Sequence, residues 1–262
     1  MSAQSPQVVA HRGASHDNAE HTLGAYLAAL EAGADGLECD VRLTADGHLV
    51  CVHDRSLIRT ASTQGLVSTM NLAELNELDF ASWKNPWADL DDEAPDRDET
   101  LDGVLTLRKL LETAADFDRR VEVAIETKHP TRFGGLVERR LVEMLGDFGW
   151  TTADSPVRVM SFSFTALQRV ERAAPNVRLV QLIDKAQTWT MLRRVIGDDW
   201  LVGPGIAMLR ENPKLAKRIA SSGHDVHVWT VNSLSDLELC QSLGVKAVIT
   251  DRPAYMLEQL GR

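Results

Sequence analysis

The sequence predicts an α/β protein of the (β/α)8 TIM-barrel class with a rim insertion after the early strands. β-rich runs alternate with segments of helical period along the chain, eight helical segments accompany about as many strands, and 262 residues suits a single barrel of this kind. An open doubly wound sheet is the competing architecture, but no glycine fingerprint follows the first strand. Residues 1–262 are therefore expected to form a single domain, with the insertion at about 55–100.

Strands are expected at 7–11, 35–43, 48–53, 121–128, 157–162, 177–183, 200–205, 225–231 and 246–250, each a short run rich in Val, Ile and Leu. Helical period marks 22–32, 106–117, 134–148, 164–174, 187–196, 213–222, 233–243 and 253–260. The rhythm breaks between Asp54 and about Thr100, where a Ser/Thr-rich stretch leads to a short helical piece at 71–78 and then to Trp83, Pro86 and Trp87. Residues 88–99 follow, with seven acids against one arginine, the pattern of a solvated loop. The whole segment has too few apolar residues for its own core, so it reads as a rim insertion whose tryptophans either cap a pocket or pin the loop to the barrel.

Composition narrows the function. The chain is 44% hydrophobic and carries 28 basic against 38 acidic residues, without a basic stripe, which argues against nucleic-acid binding. No apolar run approaches the ~18 residues of a membrane span and the opening residues show no leader pattern, so a cytoplasmic protein without stable membrane insertion is expected. Cys39, Cys51 and Cys240 lack a C-x-x-C spacing and read as small buried hydrophobes, although Cys39 and Cys51 could meet across neighbouring strands.

Barrel active sites lie at the C-terminal ends of the strands. The expected strands end there in His11-Arg12-Gly13, Glu38-Cys39-Asp40, His53-Asp54 and Glu126-Thr127-Lys128. Strand side chains alternate faces, so Glu38 and Asp40 share one face, as do Glu126 and Lys128, with apolar neighbours opposite. Carboxylates gathered in a partly desolvated mouth repel each other unless they are protonated or bind a cation. Three oxygen ligands without thiolate or imidazole suit Mg²⁺ or Ca²⁺ better than zinc. With such an ion, Arg12 and Lys128 leave the pocket one positive charge, complementary to a phosphodiester, and His11 and His53 flank it with imidazole, the side chain whose unperturbed chemistry suits moving protons. His16 and His21 read as loop or helix-entry residues, His48 as exposed in a turn, His129 as an outer neighbour of the site, and His227 as a satisfied core histidine.

These residues, together with Glu20-His21-Thr22, Thr44-Ala45-Asp46-Gly47, Val228-Trp229-Thr230-Val231-Asn232 and Thr250-Asp251-Arg252-Pro253, resemble the glycerophosphodiester phosphodiesterase family in its actinobacterial form. The resemblance implies a metal-dependent barrel that hydrolyses glycerophosphodiesters to sn-glycerol 3-phosphate and an alcohol. It implies Glu38, Asp40 and Glu126 as metal ligands, His11 and His53 as acid and base, and Arg12, Lys128, Glu20 and Trp229 as substrate or phosphate contacts. Where the family often has P-E-N-T, this chain has Ala19-Glu20-His21-Thr22, so the role of that asparagine does not carry over. Two other readings compete with the first: a lysophospholipase D or sphingomyelinase-D-like phosphodiesterase, and an inactive module that binds phosphometabolites.

Overall fold

The computed structural model describes residues 5–85, 87 and 98–262, so most of the acidic run at 88–99 lies outside the described residues. The strands are β1 (Gln7–His11), β2 (Gly36–Leu43), β3 (Leu49–Cys51), β4 (Glu122–Thr127), β5 (Val157–Ser161), β6 (Arg178–Ile183), β7 (Leu201–Pro204), β8 (His227–Val228) and β9 (Ala247–Thr250). Eight of them run parallel in the order β7-β6-β5-β4-β2-β1-β9-β8. Parallel bridges Val202↔Val226 and Gly205↔Trp229 join the two ends, which completes the barrel.

The run expected at 48–53 is the exception. It supplies β3, which lies antiparallel on the outer part of β2 and off the barrel path, with Val41 opposite Cys51 and Leu43 opposite Leu49. The chain turns tightly at Asp46-Gly47, where Gly47 has φ 88, and a hairpin needs no crossover helix. An apolar run of this length does not reveal its partner or its direction, which is why local pattern alone placed it in the barrel.

Helices cover the outside. Those at Leu23–Glu31, Leu107–Ala115, Phe164–Ala173, Pro213–Ala220 and Leu234–Ser242 begin at Thr22, Thr106, Ser163, Asn212 and Ser233, whose side chains each accept a backbone N–H of the first turn. Each cap is worth about 1 kcal/mol. An extra helix, Ile206–Glu211, follows β7. The apolar outward faces of the strands, such as Leu37, Cys39 and Val41 of β2, join the helices in one large buried cluster. All three cysteines are free and buried.

Inside the barrel, alternation builds layers. Val9, Ala124, Met160, Val180, Leu182, Leu201, Ala247 and Ile249 form a separate apolar cluster across its middle. Two residues further along the strands, at the C-terminal mouth, stand His11 and Glu126. Two residues before the apolar layer, at the N-terminal mouth, stand Gln7, Glu122, Arg158 and Arg178. Gly36 belongs to this lower level, and a Cβ there would sit 2.6 Å from the Glu122 carbonyl oxygen, so only glycine lets β2 approach β4 so closely. Among the described residues, no helix is long and apolar enough to cross a membrane.

The insertion has no core of its own: its Leu57, Ala61, Val67, Leu75 and Phe80 share a small buried cluster with Val50 and Val52 of the β3 hairpin. Its short helix is at Leu72–Asn76, entered through a capping box of Asn71 and Glu74. Trp83 lies between Arg59 and Lys84, 5.5 and 6.0 Å from its ring centroid, and its Nε1–H donates to the Phe80 carbonyl. Lys84 in turn donates to the Ser15 carbonyl. Trp83 therefore pins the loop, while Trp87 is 70% exposed.

Candidate active site

Strand register brings the first charged pairs together. His11 lies opposite Glu38, and Asp40 opposite Glu126, as paired residues on neighbouring strands. The carboxylates of Glu38, Asp40 and Glu126 are all buried, and each offers an oxygen within 4.8 Å of the others. Lys128 Nζ lies 2.8 Å from both Asp40 Oδ1 and Glu126 Oε1, and Arg12 Nε lies 2.9 Å from Asp40 Oδ2.

Their protonation energetics differ. Burial, then the charge of Asp40, raises the Glu38 carboxyl well above its ordinary value and pushes Glu126 up to about 8. Burial also pushes Asp40 upward, but Lys128, His21 and Arg12 outweigh it and hold that carboxyl well below the usual range. Two buried carboxyls that resist ionisation beside a third that is ionised form a set a hard divalent cation would relieve, so the residues present fit such an ion.

His53 reaches this mouth through the β3 hairpin. Val52 N–H donates to the Asp40 carbonyl, and Arg42 donates twice to the His53 carbonyl at 2.9 and 2.6 Å. His11 and His53 are anchored in the same way. His11 Nδ1 is hydrogen-bonded to Asp251 Oδ1 at 2.6 Å, and His53 Nδ1 to Asp54 Oδ1 at 2.7 Å. Asn232 Nδ2 and Ser15 Oγ donate to Asp251. Each ring therefore has Nε2 left over, and His11 Nε2 lies 4.0 Å from Glu38 Oε2. Burial lowers the His53 pKa, with Asp40 and Asp54 pulling the other way.

The cavity between them is about 140 Å³. Its polar wall is His11, Arg12, Glu38, His53, Glu126 and Lys128, and its apolar wall includes Met160, Phe162, Leu182 and Trp229. Phe162 meets Trp229 edge-on at 5.5 Å, and Trp229 Nε1–H is fixed on the Gly203 carbonyl. Asp40 stands behind this wall. Glu20 also stays outside it, accepting from Arg12 Nη1 at 3.1 Å.

Three groups carry more of the site than local pattern indicated. His21 does stand at a helix entry, just before the Thr22 cap, yet it is buried, with Nε2 3.0 Å from Asp40 Oδ2 and Nδ1 2.8 Å from the Tyr26 hydroxyl. Burial lowers its pKa to about 4, with Asp40 pulling the other way, and the ring orients Asp40. Tyr26 donates onward to the Glu38 carbonyl. Arg59, from the insertion, binds Glu20 with two hydrogen bonds, at 2.7 and 2.8 Å, and Asp54 at 2.6 Å. Asp54 and Asp251 stand in the quoted motifs H-D and T-D-R-P, whose spacing does not reveal which histidine each supports. His129 bonds Glu138, away from the cavity, and His48 is exposed.

Arg59 makes the acid response testable. Burial raises the carboxyls of Glu20 and Asp54, but hydrogen bonds from Arg59, with Arg12 and His53 helping, bring each down to about 2. A depressed folded pKa stabilises above the unfolded value, near ~4, and that contribution fades as pH falls towards 2. Arg59→Gln should therefore lose stability at pH 7 by about 1 kcal/mol, since Arg59 is partly exposed and screened, with the gap closing between pH ~4.5 and 2. Urea titrations across that window check it. A deficit of equal size at both ends excludes the ion pairs as its source.

Comparison with known proteins adds an independent finding. The model of the glycerophosphoryl diester phosphodiesterase family matches residues 11–255. A Mycobacterium tuberculosis protein described as a probable glycerophosphodiester phosphodiesterase 1 is 44% identical over 252 residues, covering 95% of this chain and 90% of that one. A Bacillus subtilis glycerophosphodiester phosphodiesterase is 31% identical over 249 residues, covering 94% and 83%. The solved structure of an Oleispira antarctica phosphodiesterase in complex with its product sn-glycerol-3-phosphate superposes with a TM-score of 0.80 at 25% identity, covering 98% of each chain. A family match over nearly the whole barrel, with relatives aligned almost end to end, places this chain in the glycerophosphoryl diester phosphodiesterase family.

Proposed function

We propose that this enzyme hydrolyses glycerophosphodiesters to sn-glycerol 3-phosphate and an alcohol, with a divalent ion, Mg²⁺ or Ca²⁺, held by Glu38, Asp40 and Glu126. The observation that carries the reading is the pairing of two carboxylate-anchored histidines with three converging carboxylates around one small cavity. On this reading 1–262 acts as one barrel domain whose 55–100 insertion supports the rim, and it acts in the cytoplasm on water-soluble diesters.

The ion would lower the pKa of a bound hydroxyl and offset the charge of a phosphate oxygen. Arg12 and Lys128 hold phosphate oxygens, and Glu20 steadies Arg12 from behind. Trp229 walls the glycerol. One histidine takes the proton of the glycerol hydroxyl next to the phosphate as that oxygen attacks phosphorus, and the other gives a proton to the departing alcohol. Water then opens the resulting cyclic phosphate with the two roles exchanged. The vicinal hydroxyl is favoured over water because it is already tethered to the reacting centre.

A 2-deoxy glycerophosphodiester tests the order of attack. It should be turned over at least 100-fold more slowly than the parent diester. A rate close to the parent's establishes direct attack by water. The cavity of about 140 Å³ suits a glycerol phosphate better than an acyl chain, so a headgroup panel with increasing acyl length should show falling kcat/KM. Rising values would select the lysophospholipase D reading instead.

A further inference from the structure

The other mouth of the barrel, at the N-terminal ends of the strands, is lined by charge of a different kind. A cavity of about 560 Å³ opens there, bounded by Gln7, Arg158, Arg178, His227 and Lys246, with Asp199 and Asp225 among the outer residues. The apolar layer through Val9, Ala124, Met160, Val180 and Ile249 separates it from the catalytic mouth.

Strand alternation sends Arg158 of β5, Arg178 of β6 and His227 of β8 inward at this level. Arg158 is fully buried, an expensive position for a guanidinium. Its Nη1 has a long hydrogen bond to Gln7 Oε1 at 3.3 Å, while its Nε and Nη2 have no hydrogen-bond partner. Arg178 Nε and His227 Nδ1 are likewise buried without one. His227 is thus a core histidine, as its strand position suggested, but not a satisfied one.

The nearby carboxylate is already shared. Glu122 pairs with Arg178 through Oε2, with Arg120 at 3.0 Å through Oε1, and with Arg158 only at 3.8 Å. Two inward arginines against one glutamate leave a positive charge unbalanced at the buried end. Asp199 and Asp225 are exposed at the rim, as is Lys246, where water screens them. The excess shows in the neighbours: burial and then Arg158 and Arg178 hold the His227 pKa well below its ordinary value, and burial, with repulsion from Arg178, brings Arg158 down to about 10 despite Glu122.

We propose that this lower mouth is a binding site for a small oxyanion of the phosphate and sulfate class, recognised by Arg158 and Arg178 with Lys246 at its entrance. The planar guanidinium fork matches such an anion, and one negative charge would balance the excess while giving the orphaned N–H donors partners. A purely structural arginine cluster hydrated by water is the competing account.

Equilibrium dialysis of the full chain with radiolabelled inorganic phosphate separates the two. The wild type should bind one phosphate beyond any equivalent displaced from the catalytic mouth by sn-glycerol 3-phosphate, and sulfate should compete for it. Arg178→Gln should lose that equivalent with turnover unchanged, because Glu122 keeps Arg120 and Arg158. Lys246→Glu, an exposed change that leaves the buried layer alone, should weaken the same equivalent several-fold, and it decides the matter if Arg178→Gln does not fold. Equal phosphate binding by the wild type and the folded variants, or no phosphate beyond the catalytic equivalent, overturns the proposal.

Discussion

Replacing either His11 or His53 with alanine should lower kcat by about 10²–10⁴-fold while the barrel stays folded, since general acid–base transfer contributes about that much. Both rings are partly exposed and belong to the mouth, so their loss opens little of the core. Rate against pH in the parent enzyme should be bell-shaped, and each variant should lose one limb. Asp251→Asn and Asp54→Asn should give smaller losses than removing the ring they support, because they weaken the grip on Nδ1 and leave Nε2 in place. Near-normal turnover in either alanine variant removes that histidine from the mechanism. Circular dichroism on the same samples separates a chemical defect from a folding one.

Exhaustive chelation should abolish turnover, and re-addition of Mg²⁺ or Ca²⁺ should restore it. The melting temperature should fall as well, because an ion bound only by the folded state stabilises it by about 2.7 kcal/mol at 100 times its Kd, or roughly 5–10 °C for a chain of this size. The apo barrel should nevertheless persist. Lys128 bridges Asp40 and Glu126, and Arg12 and His21 hold the rest of Asp40, so these groups have protein partners of their own. That arrangement also separates the variants. Glu38→Gln should abolish metal-dependent turnover at small cost in stability, since the one hydrogen bond to the Glu38 carboxyl among the described residues comes from the Arg12 backbone N–H. Asp40→Asn strips the counter-charge from a buried cluster and should cost on the order of 3–5 kcal/mol. Full activity after chelation, confirmed by metal analysis, excludes the cation from the reaction.

By itself, the sequence determined the barrel and most of its site-facing strand ends. Two-residue alternation is a local property, so Glu38 with Asp40, and Glu126 with Lys128, were legible as pairs sharing a face before any partner strand was known. Helical period announced the segments at 22–32, 106–117, 164–174 and 233–243 for the same reason: it repeats every three or four residues. What only the tertiary structure decided are contacts between residues far apart in the chain. The segment 48–53 reads as a barrel strand until its antiparallel pairing with β2 shows that a hairpin carries His53 to the mouth. Asp251 lies 240 residues from the histidine it anchors. His21 looks like no more than a loop or helix-entry residue until β2 places Asp40 against it, and Arg59 belongs to a stretch with little pattern until Glu20 and Asp54 meet it from separate segments. Arg158 and Arg178 sit in strands whose hydrophobic neighbours hide them, and only the pairing of β4, β5 and β6 in register brings both onto one glutamate. Periodicity records which face a residue takes. Which charge waits on that face is set by register and closure, and these depend on the whole chain at once.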